Sequence, residues 1–178
     1  MDPERAAIAV RELLAALGED PDRPELRETP ARVAAFWSER LAGRGADLGA
    51  ELEALPGALA PCPVILERVP FVSTCEHHLA PFAGHATVGY LPGAGGTVGL
   101  SKLVRVVQAF AQRLQVQERM TREIFDVLAV HLQPAAWGVK LVAEHTCMAH
   151  RGVKTAGVPV TTILLGGAWS QDPPAAFR

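Results

Sequence analysis

No run of about 18 apolar residues occurs in the chain, so no segment reads as a helix crossing a bilayer. The opening Met-Asp-Pro-Glu-Arg lacks the basic and then apolar pattern of a secretion signal, and the expected location is the cytoplasm. Cysteine is scarce. Three thiols make an odd number in a 178-residue chain too long to need disulfide staples, so they are expected to be reduced and available for metal. Charge of one sign is also missing: the formal net charge of -2 and a pI near 6.3 argue against broad attachment to nucleic acid or an anionic membrane. Any anion site must be local. No internal repeat is present.

What is there is a sequence 49% hydrophobic, enough for one domain with a proper core. Residues 3–17 carry Ile8, Leu13, Leu14 and Leu17 at roughly helical spacing, with Gly18 as the stop. A polar connector leads to Thr29-Pro30, read as an N-cap and first-turn proline for a helix bearing Val33, Ala34, Phe36, Trp37 and Leu41. Residues 45–63, with three prolines, suit a short helix and a linker. Residues 63–74 and 84–91 read as paired antiparallel strands. Ser101 is the expected N-cap of a helix whose Leu103, Val104, Val107, Phe110 and Ala111 face the core, and residues 117–132 form a second helix with Met120, Ile124, Leu128 and His131 inward. Residues 139–147 and 158–165 are the remaining strands. The fold class is α+β: N-terminal helices, then an antiparallel strand–strand–helix–helix–strand–strand unit. The expected divisions are a helical region at 1–60, a catalytic domain at 61–170 and a loose tail at 171–178.

The residues that carry chemistry gather around two thiols. Cys75 and His78 stand three apart in Ser-Thr-Cys-Glu-His-His, and Cys147 arrives in Glu-His-Thr-Cys. Two thiolates and an imidazole make a zinc site with a fourth position open for water; the same residues also suit small core thiols with a histidine capping a turn. Cys62, between two prolines, reads as bland. On a strand, His145 and Cys147 would share a face, and His77 beside His78 could titrate near neutrality. Lys102 and Arg105 at a helix start, with Arg151 beyond Cys147, suit a polyphosphate or simply a solvated face. Glu118 complements a helix dipole, and its carboxylate could equally accept the two parallel N–H donors of a guanine.

Four segments, Ser-Thr-Cys-Glu-His-His, Gly-Leu-Ser-Lys-Leu-Val-Arg, Gln-Arg-Leu-Gln-Val-Gln-Glu-Arg-Met-Thr and Glu-His-Thr-Cys-Met-Ala-His-Arg-Gly, closely resemble the signatures of the GTP cyclohydrolase I family in order and separation. The resemblance implies the tunnelling fold, in which copies join edge to edge into a pentameric β-barrel and two pentamers form a homodecamer with sites between subunits. It implies Zn2+ held by Cys75, His78 and Cys147, with His145, His77 and Ser101 catalytic. Gln117 and Glu118 would read guanine, and Lys102, Arg105 and Arg151 would hold the triphosphate. The implied reaction converts GTP to 7,8-dihydroneopterin triphosphate and formate without a redox cofactor, nucleic acid or membrane partner. The alternative is a non-catalytic or divergent homologue binding another purine or pterin. Ala156-Gly157-Val158-Pro159-Val160 replaces a usually Ser/Thr-rich stretch, and His85 and His150 also depart from the family pattern.

Overall fold

A computed structural model describes residues 1–52 and 62–178, which cluster into two compact units, Met1–Ala42 and Gly43–Arg178. The boundary expected at 60/61 and most of the linker before it lie outside the described residues. In the first unit α1 (Pro3–Ala16) opens on Asp2, whose carboxylate accepts from the Arg5 N–H at 3.0 Å. It closes on Gly18 at φ 87°, where the Gly18 and Glu19 N–H groups return to the carbonyls of Ala15 and Leu14; only glycine adopts that backbone cheaply. α2 (Thr29–Arg40) starts one residue earlier than expected: Glu28 is the N-cap, and Thr29 is already helical, its N–H bonded to the Leu26 carbonyl at 2.9 Å. Two helices enclose little, and Ala34 is the one buried residue of α1 and α2.

The second unit holds α3 (Leu48–Glu51), β1 (Val64–Cys75), β2 (Ala80–Leu91), α4 (Leu100–Ala111), β3 (Leu114–Gln115), α5 (Gln117–Leu132), β4 (Ala136–His145), α6 (Thr146–Ala149) and β5 (Val160–Gly167). The sheet order is β3-β1-β2-β4-β5, antiparallel except for the two-residue β3, which runs parallel to β1. Along β1 buried and exposed residues alternate from Val69 to Ser73, with Phe71 also inward and Pro70 and Val72 exposed, and the strand ends on two buried residues, Thr74 and Cys75. That inner face receives Leu103, Val106, Val107 and Phe110 of α4 and Met120, Ile124, Leu128 and Leu132 of α5. Polar atoms inside are paired: the Ser73 hydroxyl donates to the Ala111 carbonyl at 2.8 Å, and the Tyr90 hydroxyl accepts from the Val98 N–H at 2.9 Å.

Several expectations are corrected. His131 is exposed and Leu132 takes the inward place, one helical turn beyond Leu128. Ser101 does not cap α4: Gly99 does, because the Lys102 N–H already closes on the Gly99 carbonyl at 2.9 Å, and Val106 rather than Val104 is fully buried. The fourth strand stops at His145, where pairing with β2 ends at Phe82, so Cys147 sits on α6 and not on a strand.

The C-terminal stretch is not loose. Trp169 and Phe177 are buried, ring centroids 5.5 Å apart, over Ala136, and a Cβ on Gly138 would come within 3.0 Å of the Phe177 ring. The Lys140 ammonium donates to the Arg178 carbonyl at 2.7 Å. Phe177→Ala is expected to destabilise the second unit by about 3 kcal/mol, the usual cost of emptying a buried aromatic site. Urea denaturation followed by tryptophan fluorescence checks this, and an unchanged midpoint would restore the loose tail.

Candidate active site

One end of the sheet gathers the chemistry. Cys75 is the last residue of β1 and pairs with Ala80, the first of β2, so residues 76–79 form a tight turn closed by Leu79 at φ 53°. His145 ends β4 opposite Phe82, and the chain then turns into α6, held by the Thr146 hydroxyl donating to the Pro81 carbonyl at 2.6 Å. The ligand atoms of Cys75, His78 and Cys147 consequently lie within 4.8 Å of one another. Cys75 is buried, Cys147 half-buried and His78 exposed.

Burial pushes the Cys147 thiol up, and the Cys75 sulfur beside it adds to the rise. Two close sulfurs with an imidazole at the same point are a donor set that suits a dication. An arginine nitrogen can only donate, so Arg151 Nη1, 2.7 Å from His78 Nε2, holds a lone pair on that ring atom. A metal at that nitrogen and the guanidinium exclude one another.

Beside the thiols lies a cavity of about 210 Å³ whose wall includes Cys75, Cys147, His77, His145, Gln117 and Glu118. Burial pushes the His145 imidazole below the usual histidine range, while the Glu118 carboxylate opposes that shift. His77 is exposed, and Glu118 is exposed in the first turn of α5. Gln117, expected beside Glu118 at a base, is instead 1% exposed, and its side-chain amide is engaged with the chain at both ends. Ser101, Lys102 and Arg105 are not brought to this cavity. Lys102 Nζ and Arg105 Nη1 stand 3.6 Å and 3.4 Å from the Glu51 carboxylate.

Sequence reasoning left Glu76 without a task and missed Arg119. Their side chains meet through two N–H to carboxylate-oxygen contacts, 3.2 Å and 2.5 Å, and Arg119 also donates to the Gln115 side chain and the Leu114 carbonyl. The turn between two metal-site residues is thereby tied to β3 and α5. Gln115 and Arg119, four apart at the start of a helix, were a visible hint, but Glu76 lies 43 residues away. Hydrogen bonding from Arg119 holds the Glu76 carboxyl below its ordinary value of 4.5. That contribution is fully present above 4.5 and is lost as pH falls through the lower folded value. Glu76→Gln is expected to weaken the affinity of the Cys75, His78 and Cys147 group for added zinc about 10-fold, the usual effect of losing bonds that support a donor set. Competition with a chromophoric chelator measures it; unchanged affinity would make the tie irrelevant to the site.

A sequence profile of GTP cyclohydrolase I matches residues 6–177. The chain belongs to the GTP cyclohydrolase I family. Relatives named GTP cyclohydrolase 1 include one from Mycolicibacterium vanbaalenii, 48% identical over 96% of this chain and 85% of that one. One from Corynebacterium glutamicum is 47% identical over 96% of this chain and 88% of that one, and one from Mycobacterium ulcerans is 48% identical over 96% and 85%. Membership in the GTP cyclohydrolase I family makes the chain an enzyme, and the cavity with its Cys-His-Cys corner is the candidate place for the chemistry. Among the described residues no helix is long and apolar enough to cross a membrane.

Proposed function

We propose that the protein is a zinc-dependent hydrolase that converts GTP to 7,8-dihydroneopterin triphosphate and formate. The observation that carries this is the convergence of Cys75, His78 and Cys147 within 4.8 Å on a cavity that also presents two histidines and Glu118. The donor set is of the three-ligand Cys2His kind that leaves a position open. Zinc held there by Cys75, His78 and Cys147 would supply the acidity that makes water a usable nucleophile near neutrality, far below its ordinary pKa.

The remaining steps belong to the chain. Glu118 accepts the N1–H and 2-amino hydrogens of guanine and so sets the base in place. His145 gives a proton to N7, which draws electrons from C8 so that one water adds there and the imidazole ring opens to a formamide. A second water hydrolyses the formamide and releases C8 as formate, and closure of the new ring returns one water. His77 moves protons at the ribose as that ring opens, with Ser101 beside the sugar during the rearrangement. Arg151, Lys102 and Arg105 neutralise the triphosphate.

The last two stand with Ser101 away from the cavity of their own chain, which fits a site completed by a neighbouring copy. The open flanks of β1 and β5 suit edge-to-edge pairing into the tunnelling-fold pentamer, two of which make the decamer. The enzyme works in the cytoplasm. Incubating the zinc-replete protein with GTP, then assaying formate and the neopterin fluorescence after oxidation, tests the reading. GTP left intact sinks it, and turnover above a Cys147→Ala control excludes a homologue that only binds.

A further inference from the structure

We propose that Gln117 is a positioning residue which, locked by Thr121 and Thr162, fixes the orientation of the His145 ring with its hydrogen on Nε2. This rests on the reading of His145 as the acid of the reaction.

The orientation of the Gln117 amide is dictated by its surroundings. Its Nε2 lies 2.9 Å from the Val160 carbonyl oxygen, 3.2 Å from that of Leu141 and 3.1 Å from Thr162 Oγ1. Carbonyl oxygens only accept, so the NH2 group must face them; turning the amide over would set oxygen against two oxygens in a place that is 1% exposed. Oε1 is therefore the atom 2.8 Å from His145 Nε2. An amide oxygen only accepts, so that ring nitrogen carries the hydrogen.

The lock is itself closed. The Thr121 hydroxyl donates to the Gln117 backbone carbonyl at 2.8 Å, which uses its single hydrogen. Across the 2.6 Å contact between the two threonines, Thr162 must then donate, leaving its lone pairs for Gln117 Nε2. The bonds run in one direction from Gln117 Nε2 to Thr162, to Thr121 and back to the Gln117 backbone, tying α5 to β4 and β5. The ring plane is set separately: Phe82, 0% exposed, lies parallel to His145 at 4.6 Å and 3°.

The test uses the zinc-loaded full chain. In the wild type, 15N NMR of the His145 side chain should show a protonated Nε2 and an unprotonated Nδ1; the opposite tautomer overturns the inference. Gln117→Ala is expected to mix the tautomers and lower kcat roughly 10²-fold, with zinc content kept and KM for GTP nearly unchanged. Should that variant fold poorly, Thr162→Val is expected to lower kcat about 10-fold, and Thr162→Ser, which returns the hydroxyl, to recover most of the loss. A raised KM with kcat kept would make Gln117 a base-binding residue and overturn the proposal. A wild type that leaves GTP intact fails the functional reading instead, and the tautomer measurement still stands apart from it.

Discussion

Cys147→Ala is expected to remove bound zinc and with it GTP turnover, by roughly 10³-fold or more, because water without a metal stays a very weak acid and a poor nucleophile at neutral pH. The variant is chosen over Cys75→Ala for a structural reason. Cys75 is 6% exposed and belongs to the core packed under α4 and α5, so its loss mixes a packing defect with a ligand defect. Cys147 is half-buried on the short α6 at the end of the sheet, where losing one sulfur leaves the strand pairing intact. Far-UV circular dichroism should match the wild type, and the melting midpoint should move by a few degrees at most, the response to a change of about 1 kcal/mol. Two donors, Cys75 and exposed His78, are too few to hold zinc against a chelator. Zinc by mass spectrometry and formate release are measured on one preparation. A variant that keeps one zinc per chain would show that Cys147 is not a ligand, and one that loses zinc but still releases formate would separate the metal from the chemistry.

The fold was legible wherever a local rule was strong. The 3.6-residue stripe of residues 117–132 returned as α5 with the same bounds, and glycine at position 18 ended α1 in the left-handed backbone that only a special residue accepts. Reading failed where partners far apart in sequence decide. His145 and Cys147 alternate like strand residues, yet the strand needs partners, and its pairing with β2 ends at Phe82, next to Pro81, which has no N–H to donate. The two residues of β3 make a strand only because they run beside Thr74 and Cys75. Phe177 is an unremarkable aromatic near the end of the sequence until Gly138 leaves room for it. At the site, residue types announced the Cys-His-Cys corner, because few side chains bind metal. The supporting bonds could not be announced: Glu76 to Arg119 and Gln117 to Thr162 each join positions more than 40 residues apart through common residue types.

Glu118→Gln is expected to raise KM for GTP roughly 10²-fold and to collapse the preference for GTP over ATP, since hydrogen bonds to a charged partner contribute about 1.5–3 kcal/mol each. Guanine offers two adjacent donors, N1–H and the 2-amino group, and a carboxylate meets both with acceptors. The glutamine keeps one acceptor and sets an NH2 group against the other donor. Adenine presents an acceptor at N1, which a carboxylate repels and an amide can satisfy, so the substitution should help ATP while harming GTP. Glu118 is well placed for such a comparison. It is exposed in the first turn of α5 and borders both the cavity beside the thiols and a second one, about 300 Å³, formed with Thr121, Arg122, Thr162 and Leu164. Loss of its charge at a helix start costs only about 0.3–1 kcal/mol of stability, too little to unfold the chain. Binding of GTP and ATP by calorimetry, beside zinc content, separates recognition from the metal. A variant that holds zinc and still prefers GTP over ATP by the wild-type factor would move guanine recognition to other residues, with the backbone N–H groups at the start of α5 the next to test.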